Sequence, residues 1–375
     1  MPLGFGRPGA VPAEFRRVMH RAIFVSFATV AVLAAAVPAG AAPDIPGANA
    51  AVAAIAAKAK APGAGFAVSY RGRLAGVHGV GFANVAAKTP VGPDTMFALA
   101  SCSKPLTAMA VMKLVDDGKI TLDTPAFAFL GITAGSDPRR ARITIKSLLD
   151  HSSGLPHDVP ATAGDPMSTA RAAARATLLF EPGTQQAYSN AGFNVLGAVI
   201  EKASGQRYVD FVANTVFRPA GVLRYGALDS PAPIPGQAVR YGKDGRPVVN
   251  AKGLGGTPAG GWILSPADMV RVLVAYDAGK IVSRASREAM LAPPVAPLRP
   301  RANGSAFGLG WDVVYRGGDD PNAVFYGKNG GINGASTWIE HRLDGIDFAV
   351  FYNGGNGSGA HRPGLVTLER ALDGR

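Results

Sequence analysis

The run FALASCSKPLTAMAVMKLVDDGK, from Phe97 to Lys119, carries both a buried helix and a set of potential nucleophiles. Pro105 suits the first turn of a helix and Gly118 suits its end. The middle of the run, residues 108–111, is apolar on every side, and such a helix is buried rather than merely docked on a surface. The pattern therefore predicts a helix through the centre of the protein, with Ser101 at its N-terminal end.

Three potential nucleophiles follow one another in this run: Ser101, Cys102 and Ser103. Residues three apart on a helix share a face, and of the three only Ser101 has a lysine, Lys104, at that spacing. A serine hydroxyl needs a nearby base, and a lysine can be that base when burial and a second cation keep its amine neutral. The spacing favours Ser101 as the nucleophile, and we interpret Cys102 as a small buried hydrophobic residue.

Two short downstream patterns contain further polar groups suited to catalysis. A Tyr-Ser-Asn sequence places Tyr188 and Asn190 ahead of a helix; a phenol can relay a proton if cations lower its pKa, and an amide side chain can hold a substrate amide. A Lys-Asn-Gly sequence places Lys328 at a strand end, where it could attract a carboxylate. Gly330 and Gly331 would let a substrate backbone pair with the strand edge. Alone, each pattern has a structural explanation, as a capped turn or a glycine-rich hairpin.

Taken in order, Ser-x-x-Lys, Tyr-x-Asn and Lys-x-Gly are much more specific than any one of them. The chain resembles the class C β-lactamases, serine DD-carboxypeptidases and related esterases and D-aminopeptidases. The resemblance extends from about residue 65 to residue 354 and includes LLDHSSGLP (148–156), GGWILSPADM (260–269) and FGLGW (307–311). It implies an α+β fold of the β-lactamase/transpeptidase type. The strand patterns near both ends and the helical patterns between them likewise predict an antiparallel sheet from both chain ends, flanked by helices, with a mostly helical subdomain inserted.

The resemblance also implies a role for each matching residue. By similarity, Ser101 is the acylated nucleophile, Lys104 is its base and Tyr188 is the second proton carrier. Asn190 is the substrate-amide contact. Lys328 is the residue that steadies Tyr188 electrostatically and meets a substrate carboxylate. Gly330 is placed with the substrate-binding residues. The backbone N–H groups of Ser101 and Gly331 would form the oxyanion hole.

One position departs from the family pattern. Penicillin-recognising members usually carry Thr or Ser where this chain has Asn329, whereas esterase-like members often replace the lysine that is here Lys328. The departure weakens the expectation of β-lactam turnover and leaves the acyl-transfer assignment untouched.

These observations favour a serine hydrolase that forms an acyl-enzyme on amides or esters. A D-Ala-D-Ala-type peptide or a β-lactam is the first substrate class. Two alternatives stay open: a carboxylesterase for small acyl esters, and a β-lactam-binding sensor that acylates but hardly deacylates. An inactive cell-wall scaffold is a third hypothesis.

No metal and no organic cofactor is called for. His151 and His157 lack an acidic or cysteine partner at ligand spacing, so we interpret His151 as a structural loop residue. Asp150 and Asp268 are expected to cap or brace helices. The indoles of Trp262 and Trp311 could line the pocket or pack in the core.

The N-terminal residues 1–41 have the form of a signal peptide. Arg16, Arg17 and Arg21 precede the apolar run 22–37, and Ala39-Gly40-Ala41 fits a cleavage site. The run is short for a membrane span of about 20 residues, although an uncleaved anchor is an alternative. Met19 is an alternative start. We therefore expect a periplasmic or secreted protein, in which the single cysteine rules out an internal disulfide.

The rest of the chain, 42–375, is interpreted as one hydrolase domain. Its sheet region covers about 62–121 and 301–375, and its helical region about 122–300. The formal net charge of +12 is compatible with loose attraction to anionic cell-wall or membrane surfaces. Nucleic acid is disfavoured because no basic run is interleaved with aromatic residues. A small-molecule or peptide substrate is the expected partner, and the oligomeric state is left open.

Overall fold

Strands from both ends of the chain meet in one antiparallel sheet. The computed structural model describes residues 42–133, 137–160, 164–228, 234–248, 257–301, 304–315, 323–342, 344–354 and 362–374, so the predicted signal peptide lies outside the described residues. The strands are β1 (Gly63–Tyr70), β2 (Arg73–Asn84), β3 (Thr89–Pro90), β4 (Phe97–Ala98), β5 (Gly226–Ala227), β6 (Trp262–Leu264), β7 (Ser305–Phe307), β8 (Asp312–Tyr315), β9 (Ala323–Ile332), β10 (Ala335–Arg342) and β11 (Ile346–Tyr352).

Helices fill the chain between and around these strands. They are α1 (Ile45–Lys58), α2 (Lys104–Asp116), α3 (Ala126–Leu130), α4 (Ile145–Leu149), α5 (Pro166–Ala173), α6 (Asn190–Ser204), α7 (Tyr208–Val212), α8 (Thr257–Gly260), α9 (Pro266–Asp277), α10 (Arg284–Leu291) and α11 (Arg362–Leu372). Helices α2 to α10 all fall between β4 and β7 in the chain. The predicted pattern of strand-rich ends and a mostly helical middle is confirmed.

The main sheet has eight strands in the order β3-β2-β1-β11-β10-β9-β8-β7. The strands β1 and β11 pair antiparallel from Ala64 opposite Tyr352 to Tyr70 opposite Ile346. This pairing joins the start and the end of the described chain, because β1 and β2 come from the first part and β7 to β11 from the last. The prediction of an antiparallel sheet from both chain ends is therefore confirmed.

Alternate side chains of the sheet face two separate cores, as the period of a strand requires. On one face Phe66 packs in a cluster with Val52 of α1 and Leu368 of α11. On the other face Ala67 and Phe351 join the larger core, which also contains the buried side chains of α2, α6 and α9.

Helix α2 runs through this larger core, and every side chain from Lys104 to Met112 is buried. Pro105 lies in its first turn, and Gly118 follows its end with φ +66°. Ser101 precedes the helix in a 3₁₀ turn, Ala100–Ser103, rather than within it. Side chains three apart eclipse one another in such a turn, so the predicted shared face of Ser101 and Lys104 is kept.

Two local features differ from the sequence pattern. The alanine-rich segment STARAAARATLLF (168–180) has a sequence pattern that predicts a helix over its whole length, but α5 ends at Ala173. Tertiary hydrogen bonds draw the following backbone away: Arg140 donates to the carbonyl of Ala176 (2.8 Å), and the N–H of Leu179 donates to the carbonyl of Gly154 (2.8 Å). A small sheet, β4-β6-β5, was also not expected.

The small sheet positions the start of the run from Phe97 to Lys119. In it β4 pairs with β6, with Phe97 opposite Leu264. The N–H of Leu99 then donates to the carbonyl of Trp262 (2.8 Å). Across the described ranges, no helix is both long and apolar enough to cross a membrane.

Candidate active site

The hydroxyl of Ser101 lies between two proton-carrying side chains. The Lys104 Nζ is 3.4 Å from its Oγ, and the Tyr188 hydroxyl donates a hydrogen bond to the same oxygen at 2.5 Å. Ser101 comes from the 3₁₀ turn before α2, Lys104 from the first residue of α2, and Tyr188 from the loop before α6. Two distant parts of the sequence thus converge on one oxygen atom.

The amine of Lys104 lies within hydrogen-bond distance of three oxygen atoms, one of which is Ser101 Oγ. Its Nζ lies 2.6 Å from Asn190 Oδ1 and 2.7 Å from the carbonyl oxygen of Ala259, and both of these atoms accept hydrogen bonds. A neutral –NH₂ group has two N–H donors and one lone pair. When its two hydrogens go to these two acceptors, the lone pair is left for the hydroxyl proton of Ser101. The 3.4 Å separation is long for a hydrogen bond, and catalytic contacts of this kind tighten when a substrate binds.

Burial and charge act together on the same amine. The side chain of Lys104 is completely buried, and this burial holds its pKa well below the ordinary lysine value. The positive charge of Lys328 lowers the pKa further, whereas the carboxylates of Asp312 and Asp158 oppose the shift. The direction is the one that a lysine needs to act as a base near neutral pH.

Tyr188 is held by aromatic neighbours and faced by two lysines. Its ring lies 4.6 Å from the ring of His151 and 6.0 Å from the ring of Phe307, measured between centroids. The Nζ of Lys104 is 4.6 Å from the Tyr188 ring centroid, and that of Lys328 is 5.1 Å from it. Tyr188 therefore sits in a pocket that fixes its ring and aims its hydroxyl at Ser101.

The protonation of Tyr188 differs from the expectation that cations would lower its pKa. Burial raises that pKa above the ordinary tyrosine value and outweighs the lowering by the hydrogen bond to Ser101, while Asp312 also raises it. In this state the phenol is a proton donor.

Asn190 braces the base. Its Oδ1 accepts from Lys104, and its Nδ2 donates to Asp158 Oδ1 at 3.0 Å. Both ends of the amide are thus engaged by protein groups. The substrate-amide contact expected for Asn190 would have to share or replace one of these hydrogen bonds.

Lys328 is already paired. Its Nζ lies 2.7 Å from Asp312 Oδ1, and its side chain is only 2% exposed, against 34% for Asp312. The ammonium also lies 5.4 Å from the centroid of the Phe307 ring. The carboxylate contact expected for Lys328 is therefore occupied by a residue of the chain itself.

Gly330 lets strand β9 approach the nucleophile turn. A Cβ added there would lie 2.3 Å from Thr337 Oγ1, 2.4 Å from the carbonyl oxygen of Leu99 and 3.0 Å from the backbone nitrogen of Ser101. The glycine is required by this contact between strand and turn, which is a different reason from the substrate pairing that the sequence suggested.

Gly331 follows at the free edge of β9. In the described residues β8 pairs with β9 no further than Gly327, so residues 328–332 pair with β10 alone. Ile332 and Ala335 are joined by a two-residue hairpin connection, and in such a hairpin the two residues that flank the connection form a hydrogen-bonded pair. Pairs alternate along antiparallel strands, so the N–H of Gly331 points away from β10, toward the open edge. The Gly331 N–H is thus not paired with β10, and its role in an oxyanion hole with the Ser101 N–H stays a prediction.

Other residues singled out in the sequence have structural surroundings. Burial raises the pKa of the Cys102 thiol to about 12, and its Sγ lies 3.1 Å from the carbonyl oxygen of Lys328. His151 is buried, its Nδ1 accepts from the N–H of Ser189 at 3.1 Å, and burial lowers its pKa well below the usual value. A neutral His151 thus forms part of the wall behind Tyr188.

The acidic residues and tryptophans also brace the structure. Asp150 accepts from the Ser152 hydroxyl at 2.6 Å, and Asp268 accepts from the Ser265 hydroxyl at 2.8 Å. Trp262 and Trp311 are buried in the main core. His157 contacts Asp158 through its Nδ1. Within the described ranges, no three His, Cys, Asp or Glu side chains are grouped as metal ligands would be.

Three contacts of the site were not predicted from the sequence. They are the ion pair of Asp312 with Lys328, the hydrogen bond from Lys104 to the Ala259 carbonyl, and the packing of Phe307 beside Tyr188. Phe307 and Asp312 stand at and directly after the FGLGW motif, which was the available signal for both. The role of Ala259 lies in a backbone atom, so no side-chain pattern could have revealed it.

Comparisons with known proteins identify the family of this chain. A family model described as Beta-lactamase matches residues 48–368. Penicillin-binding protein 4* of Bacillus subtilis (strain 168) is 28% identical over 303 residues, which is 71% of this chain and 63% of that protein. Esterase EstB of Burkholderia gladioli is 35% identical over 172 residues, or 40% of this chain and 43% of that protein. The chain thus spans less than two thirds of the length of these two curated relatives.

Among solved structures, the octameric penicillin-binding protein homologue from Pyrococcus abyssi has the same fold. The two superpose with a TM-score of 0.72 at 25% identity, over 87% of this chain and 76% of that one.

Proposed function

The chain belongs to the beta-lactamase family of serine hydrolases, and from this premise we propose that it hydrolyses amides or esters through an acyl-enzyme on Ser101. One observation carries the proposal: Ser101 Oγ lies 3.4 Å from the amine of Lys104, a completely buried lysine, and 2.5 Å from the hydroxyl of Tyr188. The roles assigned below to the other residues are part of the same proposal.

In the acylation step, Ser101 Oγ attacks the substrate carbonyl carbon and its proton passes to Lys104 Nζ. The oxygen of the tetrahedral intermediate takes up negative charge and is bound by the N–H groups of Ser101 and Gly331. The bond to the leaving group then breaks, and the leaving atom takes a proton from the Tyr188 hydroxyl. Lys104, whose Nζ lies 4.6 Å from the centroid of the Tyr188 ring, then gives its proton to the tyrosine oxygen, which restores the neutral amine and the phenol.

Deacylation reverses these roles. A water molecule attacks the ester carbonyl of the acyl-enzyme and gives its proton to the Lys104–Tyr188 pair. The bond to Ser101 Oγ breaks, and the serine recovers its proton as the acid product leaves. The same groups serve both steps, so the rate of deacylation separates a hydrolase from a sensor that stays acylated.

Two substrate classes follow from the resemblance. The first is a D-Ala-D-Ala-type peptide or a β-lactam, for which the Lys-x-Gly sequence with Lys328 is the support. The second is a small acyl ester. Asn329, in place of the usual hydroxyl residue, and the 35% identity to esterase EstB over part of the chain support this class.

A substrate panel tests the proposal. Wild type and Ser101→Ala are assayed with a chromogenic cephalosporin, a D-Ala-D-Ala peptide and a p-nitrophenyl ester. We expect turnover of at least one substrate by the wild type and none by Ser101→Ala. Equal turnover by the alanine variant would overturn the mechanism, and ester turnover alone would select the second class. A penicillin adduct that persists for hours in intact-mass analysis would indicate the sensor function.

The proposed location is periplasmic or secreted. The support is the arginine-flanked apolar run followed by Ala39-Gly40-Ala41. Expression of the full chain in a bacterial host, followed by fractionation and N-terminal sequencing, should yield a mature protein that begins at about residue 42. An intact N-terminus in the cytoplasmic fraction would contradict the proposed export.

A further inference from the structure

The ion pair between Lys328 and Asp312 lies where a substrate carboxylate was expected to bind. Asp312 is the first residue of β8 and stands opposite Gly327 of β9, one residue before Lys328. Its Oδ1 is 2.7 Å from Lys328 Nζ, and the carboxylate is the more exposed half of the pair. Among the charged side chains of the described ranges, Asp312 is the one that contacts this ammonium.

This pairing changes what the lysine can recognise. An isolated ammonium attracts a carboxylate, whereas a paired one presents almost no net charge. A second carboxylate on the same ammonium would also lie close to Asp312, and like charges at such distances repel. Because Asp312 is part of the same chain, its effective concentration at Lys328 is far higher than that of any free substrate.

We propose that Asp312 determines the substrate class of this site by occupying Lys328, so that the protein prefers amides and esters whose leaving portion carries no carboxylate. The inference rests on the proposed function, since it narrows the substrate of the Ser101 acyl-transfer site. Peptides with a free C-terminal carboxylate and β-lactams are then the disfavoured class. Asn329, next to Lys328, also supports this preference, because penicillin-recognising members usually carry Thr or Ser at that position.

A matched pair of ligands isolates the effect of the carboxylate. N-acetyl-D-alanyl-D-alanine and its C-terminal amide differ only in that group, and each is used to compete with labelling of Ser101 by a fluorophosphonate. In the wild type we expect the amide to protect Ser101 at lower concentration than the acid. In Asp312→Asn, which keeps the size and removes the charge, the ratio of acid to amide protection should rise by about tenfold or more.

Three comparisons make the result decisive. Asp312→Glu keeps a carboxylate on Lys328 and should retain the wild-type preference, whereas a general disturbance of the strand would alter both ligands together. Asp210→Asn removes an exposed carboxylate of α7 and should leave the ratio unchanged. Arg301 is a second cation near the site, since its guanidinium lies 4.1 Å from the Phe307 ring centroid. It is present in the wild type and in every variant, so it does not affect the difference between their ratios.

An unchanged acid-to-amide ratio in Asp312→Asn would overturn the inference. Absence of protection by either ligand in both proteins would overturn it as well. Failure of the fluorophosphonate to label Ser101 in the wild type would instead overturn the proposed function. The two failures are therefore distinguishable in one experiment.

Discussion

At the scale of single residues, the proposed mechanism depends on a neutral amine at Lys104. Lys104 is buried among apolar side chains, and its Nζ lies 5.4 Å from the centroid of the Phe193 ring. An ionised ammonium there would lack the water that stabilises it in solution. Hydrogen bonds to Asn190 and Ala259 orient the neutral group, and the nearby charge of Lys328 favours the same state.

The pH dependence of activity should report this amine. Because burial lowers the pKa of Lys104, the amine is protonated and inactive below that lowered pKa and free above it. We expect log kcat/KM to rise with pH at unit slope and then level off well below the ordinary lysine value of about 10.4. A steady rise up to that value, measured from pH 5 to pH 10.5 on a neutral substrate, would contradict a neutral Lys104.

At the scale of secondary-structure elements, the site depends on how closely β9 approaches the turn before α2. Thr337 of β10 donates to the carbonyl of Leu99 at 2.7 Å, and Gly330 leaves room for this contact. The strand thereby presents Lys328 and Gly331 beside Ser101. Strand β9 does more than supply residues, because its distance from the turn would set the width of the proposed oxyanion site.

Gly330→Ala should separate the strand from the turn. The added methyl would meet backbone and hydroxyl atoms at 2.3 to 2.4 Å, so the strand must shift. We expect kcat/KM to fall by about 10² or more, as on loss of an oxyanion donor, with the protein still folded by circular dichroism.

The matched control for this variant is Gly192→Ala in α6, where the nearest atoms would be at 3.5 Å. That variant should retain activity, since the contact is an ordinary one and alanine suits a helix interior. Similar loss in both variants would show that the close approach of β9 is not what matters.

The sequence predicted the parts of the site that follow local spacing. Ser101 and Lys104 are three residues apart at a helix start, and the buried helix after them was readable from its apolar pattern. The predicted length of helix α5 was too great, because hydrogen bonds of the following backbone with the Arg140 side chain and the Gly154 carbonyl, both distant in sequence, end the helix early. The Asp312–Lys328 pair was missed for a similar reason, since it joins side chains on neighbouring strands and no local pattern encodes it.

At the scale of the whole molecule, the last strands tie the two chain ends together and bury ionisable groups in doing so. Glu340 of β10 is buried with its carboxylate near Glu369 of α11, and burial raises its pKa to about 8. His341, the next residue, contacts Asp347 of β11. The closing strands thus carry charges whose protonation affects stability rather than catalysis.

Stability should therefore depend on pH through Glu340. Its folded pKa lies above the ordinary value, so the folded state holds this proton more tightly than the unfolded state between about pH 4.5 and pH 8. The stability from this group is complete at low pH and is lost as the pH rises through that window. Glu340→Gln stays neutral at every pH, so its free energy of unfolding should increase relative to wild type from pH 5 to pH 8.

Chemical denaturation at a series of pH values measures this difference. Glu288→Gln, on an exposed residue of α10 paired with Arg284, is the control and should follow the wild type. A Glu340→Gln curve parallel to the wild type would show that this carboxyl titrates normally in the folded protein.

The most direct test of the central claim is covalent labelling of Ser101 by a fluorophosphonate, with intact-mass analysis and peptide mapping. The wild type should gain one adduct, on the peptide that contains Ser101. In Lys104→Arg, which keeps a charge but removes the base, labelling should be slower by about 10² to 10⁴. An adduct on another side chain, or equal labelling rates in wild type and Lys104→Arg, would contradict a serine activated by a neutral lysine.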